Sequence, residues 1–329
     1  MARSPLTLAA LATSAVEGLE AASVQPMGSP SGGDFDAALV VDRDGRGWVV
    51  RIPRSPEAES EQSADLVALR ALSEGVRARL PFAVSRFAGQ APVGGTRAVV
   101  CEFVPGDRVA LESIDAELAA SIGRAVAAIH ALPVSVAADA GLPVRSSAEV
   151  MGSARRTVEH AVATGLVPAR LVERWGEAVA DAALWQFTPV LAHGSLSAGS
   201  LLVADGEVAG VLGWHALQVG DPAQDLQWLL AAPREGVADS AFAAYGRERG
   251  SVDRRIQHRA RLLSELELAR WLLHGTATRR TDIVDDAVGL MSHLVDDLAT
   301  EVRLPIAVGE REALDVTEVE RMLDSRRIG

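Results

Sequence analysis

Hydrophobic and polar positions alternate in the first third of the chain in the way expected for a small antiparallel sheet. Apolar runs at residues 38–41 and 48–52 flank Asp42-Arg43-Asp44-Gly45, a turn sequence whose glycine suits a tight reversal. A further apolar run, rich in residues that favour strands, covers residues 98–103. These patterns predict a hairpin and, later in the chain, another strand.

Two helices are predicted within the same third. Ser4 can cap a helix that begins at Pro5, because proline suits the first helical position and the apolar residues that follow recur at helical spacing. We prefer this helix over a signal peptide, which the N-terminal apolar run also resembles. Residues 63–80 predict a second helix, and Asp65 lies on it. The Pro and Gly within residues 104–107 then predict a break between two bodies.

Beyond residue 114 the pattern becomes helical, starting with an apolar stripe that stops at Leu132-Pro133. Further helices are predicted at 147–163, 168–185, 221–232, 238–249, 253–274 and 281–302. Only residues 190–214, punctuated by glycines, predict strand, turn and strand. The chain is therefore expected to divide into a β-rich lobe at 1–104, a helical lobe at 105–304 and a polar tail at 305–329 with a short helix near 316–323.

Composition narrows the classes of partner. The 329 residues carry 32 basic and 44 acidic side chains, and the net charge of -12 repels nucleic acid and anionic membranes. No stretch is long and apolar enough to span a bilayer.

The chain has a single cysteine, Cys101, so it cannot form an internal disulfide. Because the neighbours of Cys101 are apolar, we expect a buried thiol and a cytoplasmic protein. Every basic residue is an arginine, and no lysine can bind phosphate here.

Four motifs occur in an order that is informative as a set. They are Trp48-Val49-Val50-Arg51-Ile52-Pro53-Arg54, the segment 123–133, His193-Gly194-Ser195-Leu196, and the segment 220–226. Together they resemble the aminoglycoside and macrolide phosphotransferase family over about residues 5 to 303, with the macrolide branch most similar through V-V-R-I-P-R. The resemblance implies an α+β, kinase-like fold of two lobes. The N-terminal lobe is a small antiparallel sheet with one helix, and the C-terminal lobe is mainly helical.

The family's catalytic positions hold uncharged residues in this chain. In the family, H-G-D-x-x-x-x-N supplies an Asp that deprotonates the substrate hydroxyl and an Asn that holds Mg²⁺, and I-D-W supplies a second metal ligand. The corresponding residues here are Ser195, Ser200 and Gly213. His193, at the start of the motif, is implied to brace the loop. We therefore expect no metal at Ser200 and Gly213 and an impaired phosphotransferase, because phosphoryl transfer depends on charge neutralisation.

The resemblance also indicates a partner for the phosphates of a nucleotide. Arg51 stands where kinases have the phosphate-binding cation, and Asp65 stands where they have the acidic partner of that cation. An ion pair between Arg51 and Asp65 is therefore predicted. The alternative, two unrelated surface charges, stays open at the level of sequence.

Two backbone segments complete the predicted nucleotide site. Gly32 and Gly33 end a flexible turn whose backbone could approach phosphates, although its spacing is not that of a G-x-G-x-x-G motif. Glu102 and Val104 belong to the connector whose backbone hydrogen-bonds a purine in the family. Because such recognition tolerates side-chain change, nucleotide binding could outlive catalysis. ATP and GTP both stay open, as does the identity of any protein partner.

Three classes of function remain. The first is a catalytically impaired relative that acts by binding a nucleotide or small molecule. The second is an active ATP- or GTP-dependent small-molecule O-phosphotransferase with a displaced metal site, which needs a carboxylate near Gly213. The third is a structural or partner-binding protein with a closed cleft. Four nearby carboxylates could in principle replace the lost ligands, namely Asp205, Glu207, Asp221 and Asp225, but Asp221 followed by a proline and Gln224 predicts a helix cap instead.

Overall fold

The computed structural model of the protein describes residues 3–28, 33–250 and 253–300. The strands within these residues are β1 (Ala21–Met27), β2 (Phe35–Asp42), β3 (Gly47–Pro53), β4 (Ala83–Val84), β5 (Phe87–Val93), β6 (Thr96–Glu102), β7 (Asp107–Arg108), β8 (Val190–Ala192), β9 (Leu201–Ala204), β10 (Glu207–Val211) and β11 (Gln218–Gly220). The α-helices are α1 (Pro5–Ala15), α2 (Pro56–Ala71), α3 (Glu74–Arg77), α4 (Ala116–His130), α5 (Ser135–Asp139), α6 (Ser147–Ala163), α7 (Ala169–Ala180), α8 (Val237–Arg249), α9 (Ile256–Thr278) and α10 (Thr281–Thr300).

Packing divides the chain into two compact units. The first contains the chain up to residue 150 together with 188–254, and the second contains 151–187 together with the chain from residue 255. The lobe boundary after Val104 is based on the change from strands to helices and stays a prediction. The tail at 305–329, with its short helix, lies outside the described residues. None of the helices in the described part of the chain is long and apolar enough to cross a membrane.

The first unit contains a five-stranded antiparallel sheet with the strand order β1-β2-β3-β6-β5. The predicted hairpin is confirmed as β2 and β3, and the predicted strand at 98–103 is confirmed as β6. Strands β1 and β5, at the two edges, were not predicted. Because β1 exposes most of its side chains, it lacks the alternation of apolar and polar residues that signals a half-buried strand.

Helix α1 begins where its cap signals predict, and it packs against this sheet. The Ser4 hydroxyl accepts a hydrogen bond from the Thr7 N–H, and Pro5 occupies the first helical position. The core beneath α1 joins helix and sheet residues and includes Leu8, Ala12, Val40, Val50, Ile52 and Val100. Burial of these apolar side chains is the main stabilising contribution in this part of the fold.

Helix α2 begins and ends earlier than the prediction of residues 63–80. It begins after Ser55, whose side chain accepts from the Ala58 N–H, and it ends at Ala71 before the separate short helix α3. The first turns are polar and carry a weak apolar pattern, which explains the late predicted start. Asp65, Leu66 and Leu69 lie on the buried face, so the helix presents one carboxylate towards the interior.

The remainder of the first unit holds the predicted strand segment at 190–214. It contains three strands rather than two: β8, which pairs with β11, and β9 and β10, which belong to a four-stranded sheet with the order β4-β10-β9-β7. The loop at 193–200 joins β8 to β9. Helices α4 and α8, both predicted, pack against each other in the same unit.

The prediction of an α-helix at 221–232 is wrong. The segment forms two short 3-10 helices, Pro222–Asp225 and Gln227–Ala231. Asp221 caps the first through the Ala223 N–H, as predicted, but Gln224 does not reach back to complete a capping box. The side chains of Gln224 and Asp225 instead form hydrogen bonds to the 193–200 loop. The 3-10 helices, which are wound more tightly than an α-helix, occur where these tertiary contacts form.

The described residues of the second unit are mainly helical, as the apolar periodicity predicts. Helix α7 stops at Ala180 and is followed by a 3-10 turn, whereas the prediction continued to residue 185. Glu265 on α9 receives a bidentate bond from Arg174, with the shortest contact at 2.9 Å, and a bond from the Trp175 indole at 2.9 Å. Paired in this way, the Glu265 carboxylate is satisfied although it is buried.

Candidate functional site

A cleft of about 670 Å³ lies within the first unit and brings together most of the predicted nucleotide-site residues. The predicted residues that line it are Gly33, Arg51, Asp65, Glu102, Val104 and Gly213. Gly32 lies outside the described residues. The cleft is open space, with a volume in the range of small-molecule and cofactor pockets.

Arg51 and Asp65 form an ion pair at one wall of the cleft. The Arg51 guanidinium donates to the Asp65 carboxylate at 2.8 Å, and the exposed fractions of the two side chains are 28% and 6%. Arg51 also lies over the Phe35 ring, 5.4 Å from its centroid. The pairing places a cation on β3 where the resemblance predicts one, and the description as two unrelated surface charges does not apply.

Asp65 makes a second contact that the sequence does not indicate. Its other carboxylate oxygen accepts a hydrogen bond from the backbone N–H of Trp214 at 2.8 Å. Trp214 directly follows Gly213, which the resemblance assigns to the second metal ligand. The Asp65 carboxylate therefore links the Arg51 cation to the turn that contains Gly213.

Asp225, which is fully buried, forms hydrogen bonds to the backbone of the loop at 193–200. Its carboxylate accepts from the N–H groups of His193 at 2.7 Å and Gly194 at 2.8 Å, and it contacts the His130 ring at 3.1 Å. Burial by itself raises the pKa of Asp225, but the bond from His130 and the neighbouring imidazoles and amides hold the pKa below its ordinary value. Asp225 is therefore an anionic support for the loop.

Gly194 is required by the geometry of this loop. Its φ is +86°, and a Cβ atom there would lie 2.2 Å from the Ala216 carbonyl oxygen. The Gln224 amide donates to the Gly194 carbonyl at 2.6 Å and so holds the same turn from another side. Only glycine combines this backbone conformation with such a close approach.

His193 contacts the chain segment that precedes Gly213. Its Nε2 donates to the Leu212 carbonyl at 3.1 Å, and its ring packs on that of Trp214 with 4.7 Å between centroids. Burial lowers the pKa of His193, and Asp225 offsets this only in part. A neutral ring with its proton on Nε2 matches the carbonyl acceptor. The ring ties the 193–200 loop to the Leu212 backbone, which is the bracing that the resemblance implies.

The three positions that the resemblance assigns to the base and the metal ligands hold two serines and a glycine, none of which carries a charge. The Ser195 hydroxyl lies 3.5 Å from the Gly213 carbonyl oxygen, and the Ser200 carbonyl accepts from the Leu212 N–H at 2.8 Å. At Gly213, φ is +75° and a Cβ would meet no atom within 4 Å. Among the described residues no group of three or more His, Cys, Asp or Glu side chains could hold a metal ion. This donor set does not fit Mg²⁺, which is usually bound through carboxylates.

The connector after β6 presents a backbone donor that has no partner among the described residues. The N–H groups of Glu102 and Phe103 donate to the Arg86 and Gly47 carbonyls at 2.8 and 2.9 Å. The Val104 N–H makes no hydrogen bond to any residue that the structure describes, and Val104 lines the cleft. A heterocyclic base could therefore bond here without displacing a protein contact.

Cys101 also lines the cleft, directly before the connector. Burial raises the pKa of its thiol to about 11. The sulfur is therefore a protonated, weakly nucleophilic group, in agreement with the buried thiol expected from its apolar neighbours.

Comparison with known proteins gives a consistent result. A model described as "Phosphotransferase enzyme family" matches residues 28–263. An uncharacterized protein of Bacillus subtilis, YcbJ, is 24% identical over 226 residues, which are 64% of this chain and 71% of that protein.

Solved structures extend the likeness to the fold. The apoenzyme of macrolide 2'-phosphotransferase MphH from Brachybacterium faecium is 26% identical, with a TM-score of 0.70 over 83% of this chain and 94% of that chain. A macrolide 2'-phosphotransferase of type I is 25% identical, with a TM-score of 0.68 over 87% and 96% of the two chains. The GDP and kanamycin complex of APH(2")-IIIa, at 20% identity, has a TM-score of 0.67 over 86% and 95% and shares the kinase-like fold. The protein therefore belongs to the phosphotransferase enzyme family.

Proposed function

We propose that this protein is a catalytically impaired phosphotransferase relative whose cleft binds a nucleotide without transferring its phosphate. The observation that carries the proposal is the absence of charge at Ser195, Ser200 and Gly213. Phosphoryl transfer depends on a positioned base and on cations that neutralise the developing charge. A serine hydroxyl is not a general base near neutral pH, and neither serine nor glycine supplies an anionic metal ligand.

Nucleotide binding is supported by the parts of the cleft that retain suitable chemistry. Arg51 offers a cation held in place by Asp65, and the connector offers the Val104 N–H to a purine edge. Solved relatives of the same fold include one with GDP and kanamycin and one with ADP. These ligands belong to those proteins. For this chain they indicate ATP, GTP and their diphosphates as the compounds to test first.

The competing hypothesis, an active kinase with a displaced metal site, needs a free carboxylate near Gly213. Asp65 contacts the residue after Gly213, but it uses one oxygen for Arg51 and the other for the Trp214 N–H. The four candidates from the sequence have other roles or positions. Asp225 supports the loop, Asp221 caps a turn, Glu207 pairs with Arg124, and Asp205 lies in the β9–β10 turn. We therefore favour binding over transfer.

Two measurements on the wild-type chain test the proposal. Calorimetry with ATP, GTP and their diphosphates, in EDTA and in Mg²⁺, should detect binding that Mg²⁺ does not strengthen. Phosphorylation assays over macrolide and aminoglycoside panels should detect no transfer. Mg²⁺-dependent transfer to any of these substrates would establish the active kinase instead, and failure of every nucleotide to bind at millimolar concentration would exclude a nucleotide-binding module.

A matched pair of variants attributes the binding to the cleft. Arg51→Gln removes the cleft cation, and we expect it to weaken nucleotide binding by about tenfold. Arg155→Gln removes an arginine from an exposed i,i+4 pair on α6 and should bind like the wild type. Equal affinities of the two variants would show that the nucleotide does not use Arg51.

A further inference from the structure

A second arginine, Arg108, lines the same cleft as Arg51 and belongs to neither the family motifs nor the predicted site. It lies on the short strand β7, where it pairs with Leu202 of β9. Its guanidinium donates to the Gly199 carbonyl at 3.0 Å. Gly199 directly precedes Ser200, the neutral residue at the family's first metal position. The side chain is therefore anchored at the point where a metal ligand is missing.

The guanidinium of Arg108 retains its capacity to bind an anion. It has five N–H donors, and the bond to Gly199 uses one of them. It forms no ion pair with a carboxylate of the described residues. Three acidic residues line the cleft. Asp65 is neutralised by Arg51, Glu102 lies 3.8 Å from Arg86 at the connector, and Asp34 forms no ion pair with Arg108. Arg108 therefore contributes a positive charge to the cleft that no described acidic side chain pairs with.

We propose that Arg108 acts with Arg51 to bind the polyphosphate of a nucleoside di- or triphosphate that carries no divalent cation. The inference rests on the proposed nucleotide binding. It adds Arg108 to the binding site and specifies that the bound polyphosphate carries no metal ion. A forked guanidinium bonds phosphate oxygens in a bidentate manner, and its charge stands where the family uses a metal ion.

This arrangement predicts an unusual response to magnesium and salt. Mg²⁺ lowers the negative charge of a polyphosphate, so it should leave the affinity unchanged or reduce it. Binding through arginine charges should also weaken as the ionic strength rises, because the cleft is open to solvent. A site that needs a metal would show the opposite response to Mg²⁺.

The experiment is calorimetric titration of the full chain in EDTA with ADP, ATP and adenosine. Arg108→Gln should raise the Kd for ADP and ATP by about tenfold, because bonds to charged groups are lost. Its Kd for adenosine should change less than about twofold, because adenosine has no phosphate. Arg108→Lys keeps the charge but not the fork and should fall between wild type and Arg108→Gln. Arg155→Gln is the control for loss of an arginine elsewhere.

The outcomes separate the two proposals. If the wild type binds ADP and ATP and both Arg108 variants bind them equally well, Arg108 has no such role and the proposed function stands. If Arg108→Gln weakens adenosine as much as ADP, its effect is on the shape of the cleft and the inference is overturned. If the wild type binds no nucleotide, the proposed function fails and this inference fails with it. Far-UV circular dichroism and the unfolding midpoint, compared with those of the wild type, establish that both Arg108 variants are folded.

Discussion

The carboxylate of Asp65 accepts a hydrogen bond from the backbone N–H of Trp214, 149 positions later in the chain, at 2.8 Å. Its second oxygen receives the Arg51 guanidinium at the same distance. One buried side chain on α2 thus positions both the cation of the cleft and the turn at Gly213. Because both of its oxygens have partners within the protein, this carboxylate is a structural anion and not a free metal ligand.

Asp65→Asn tests this structural role. The amide keeps the shape of the side chain but loses the charge and one acceptor, so at least one of its two partners is left without its bond. We expect the free energy of unfolding to fall by about 1 to 3 kcal/mol, measured by chemical denaturation. Glu159→Gln, in the exposed pair with Arg155, is the control and should change it by less than about 0.5 kcal/mol. Equal effects of the two substitutions would contradict the role of Asp65.

Alanine substitutions at Gly194 and Gly213 distinguish the cost of a left-handed backbone from the cost of a steric clash. Gly194 and Gly213 have similar positive φ angles of +86° and +75°, but a Cβ would meet the Ala216 carbonyl oxygen at 2.2 Å only at Gly194. We expect Gly213→Ala to cost about 1 to 2 kcal/mol of unfolding free energy, from the left-handed backbone alone. Gly194→Ala should cost about 1 to 3 kcal/mol more, because the 193–200 loop must shift. Similar unfolding midpoints for both variants would show that the loop has room to adjust.

Protonation of His193 should couple stability to pH. Burial lowers its pKa in the folded state below the value near 6.5 of the unfolded chain, with smaller effects from Asp225, His215 and Asp65. The unfolded state therefore binds more protons as the pH falls below about 6.5, and the free energy of unfolding decreases by up to about 1.4 kcal/mol per pH unit. Above that pH the contribution is fully present.

His193→Gln identifies the source of this slope. Glutamine can still donate to the Leu212 carbonyl but does not titrate, so denaturation curves between pH 5 and 7 should show a flatter dependence than the wild type. A residual slope is expected from His258, whose pKa is also lowered by burial and by Arg255 and Arg261. His160→Gln, at an exposed position of α6, should keep the wild-type slope. An unchanged slope in His193→Gln would show that another group is responsible.

Restoring the family residues should restore a response to magnesium. The combined variant Ser195→Asp, Ser200→Asn and Gly213→Asp places two carboxylates and an amide at the positions that the resemblance assigns to the base and the metal ligands, and a Cβ at residue 213 would meet no atom within 4 Å. Aspartate also tolerates a positive φ better than most residues. We expect Mg²⁺ to tighten ADP binding to this variant by about tenfold or more, which is about 1.4 kcal/mol.

Gly213→Ala serves as the comparison for that experiment, because it adds a side chain without a charge. Calorimetry in EDTA and in Mg²⁺ should show no tightening of ADP binding by Mg²⁺ for Gly213→Ala or for the wild type. If the triple variant also ignores Mg²⁺ while it still binds ADP, features other than these three residues prevent metal binding in the cleft.

The sequence predictions succeeded where the structure depends on residues close together in the chain, and they failed where it depends on residues far apart in the chain. The β2–β3 hairpin and the Ser4 cap were predicted because they arise between residues a few positions apart. The segment 221–232 carries helical spacing, yet it forms 3-10 turns in which Asp225 bonds to His193 and Gly194, more than 30 positions earlier. Similarly, a lone arginine in Gly106-Asp107-Arg108 offers no pattern that separates a surface residue from one in a cleft.

The sequence by itself determined the order of most elements, the family resemblance and the uncharged residues at Ser195, Ser200 and Gly213, because residue identity and local periodicity are properties of neighbouring positions. Only the tertiary structure decided that Asp65 reaches Trp214, that Asp225 supports the loop and that Arg108 bonds to Gly199, 91 positions away. These contacts join segments that approach each other only when the apolar faces of remote elements are buried together, and hydrophobic burial is not directional enough to encode the final hydrogen-bond partners.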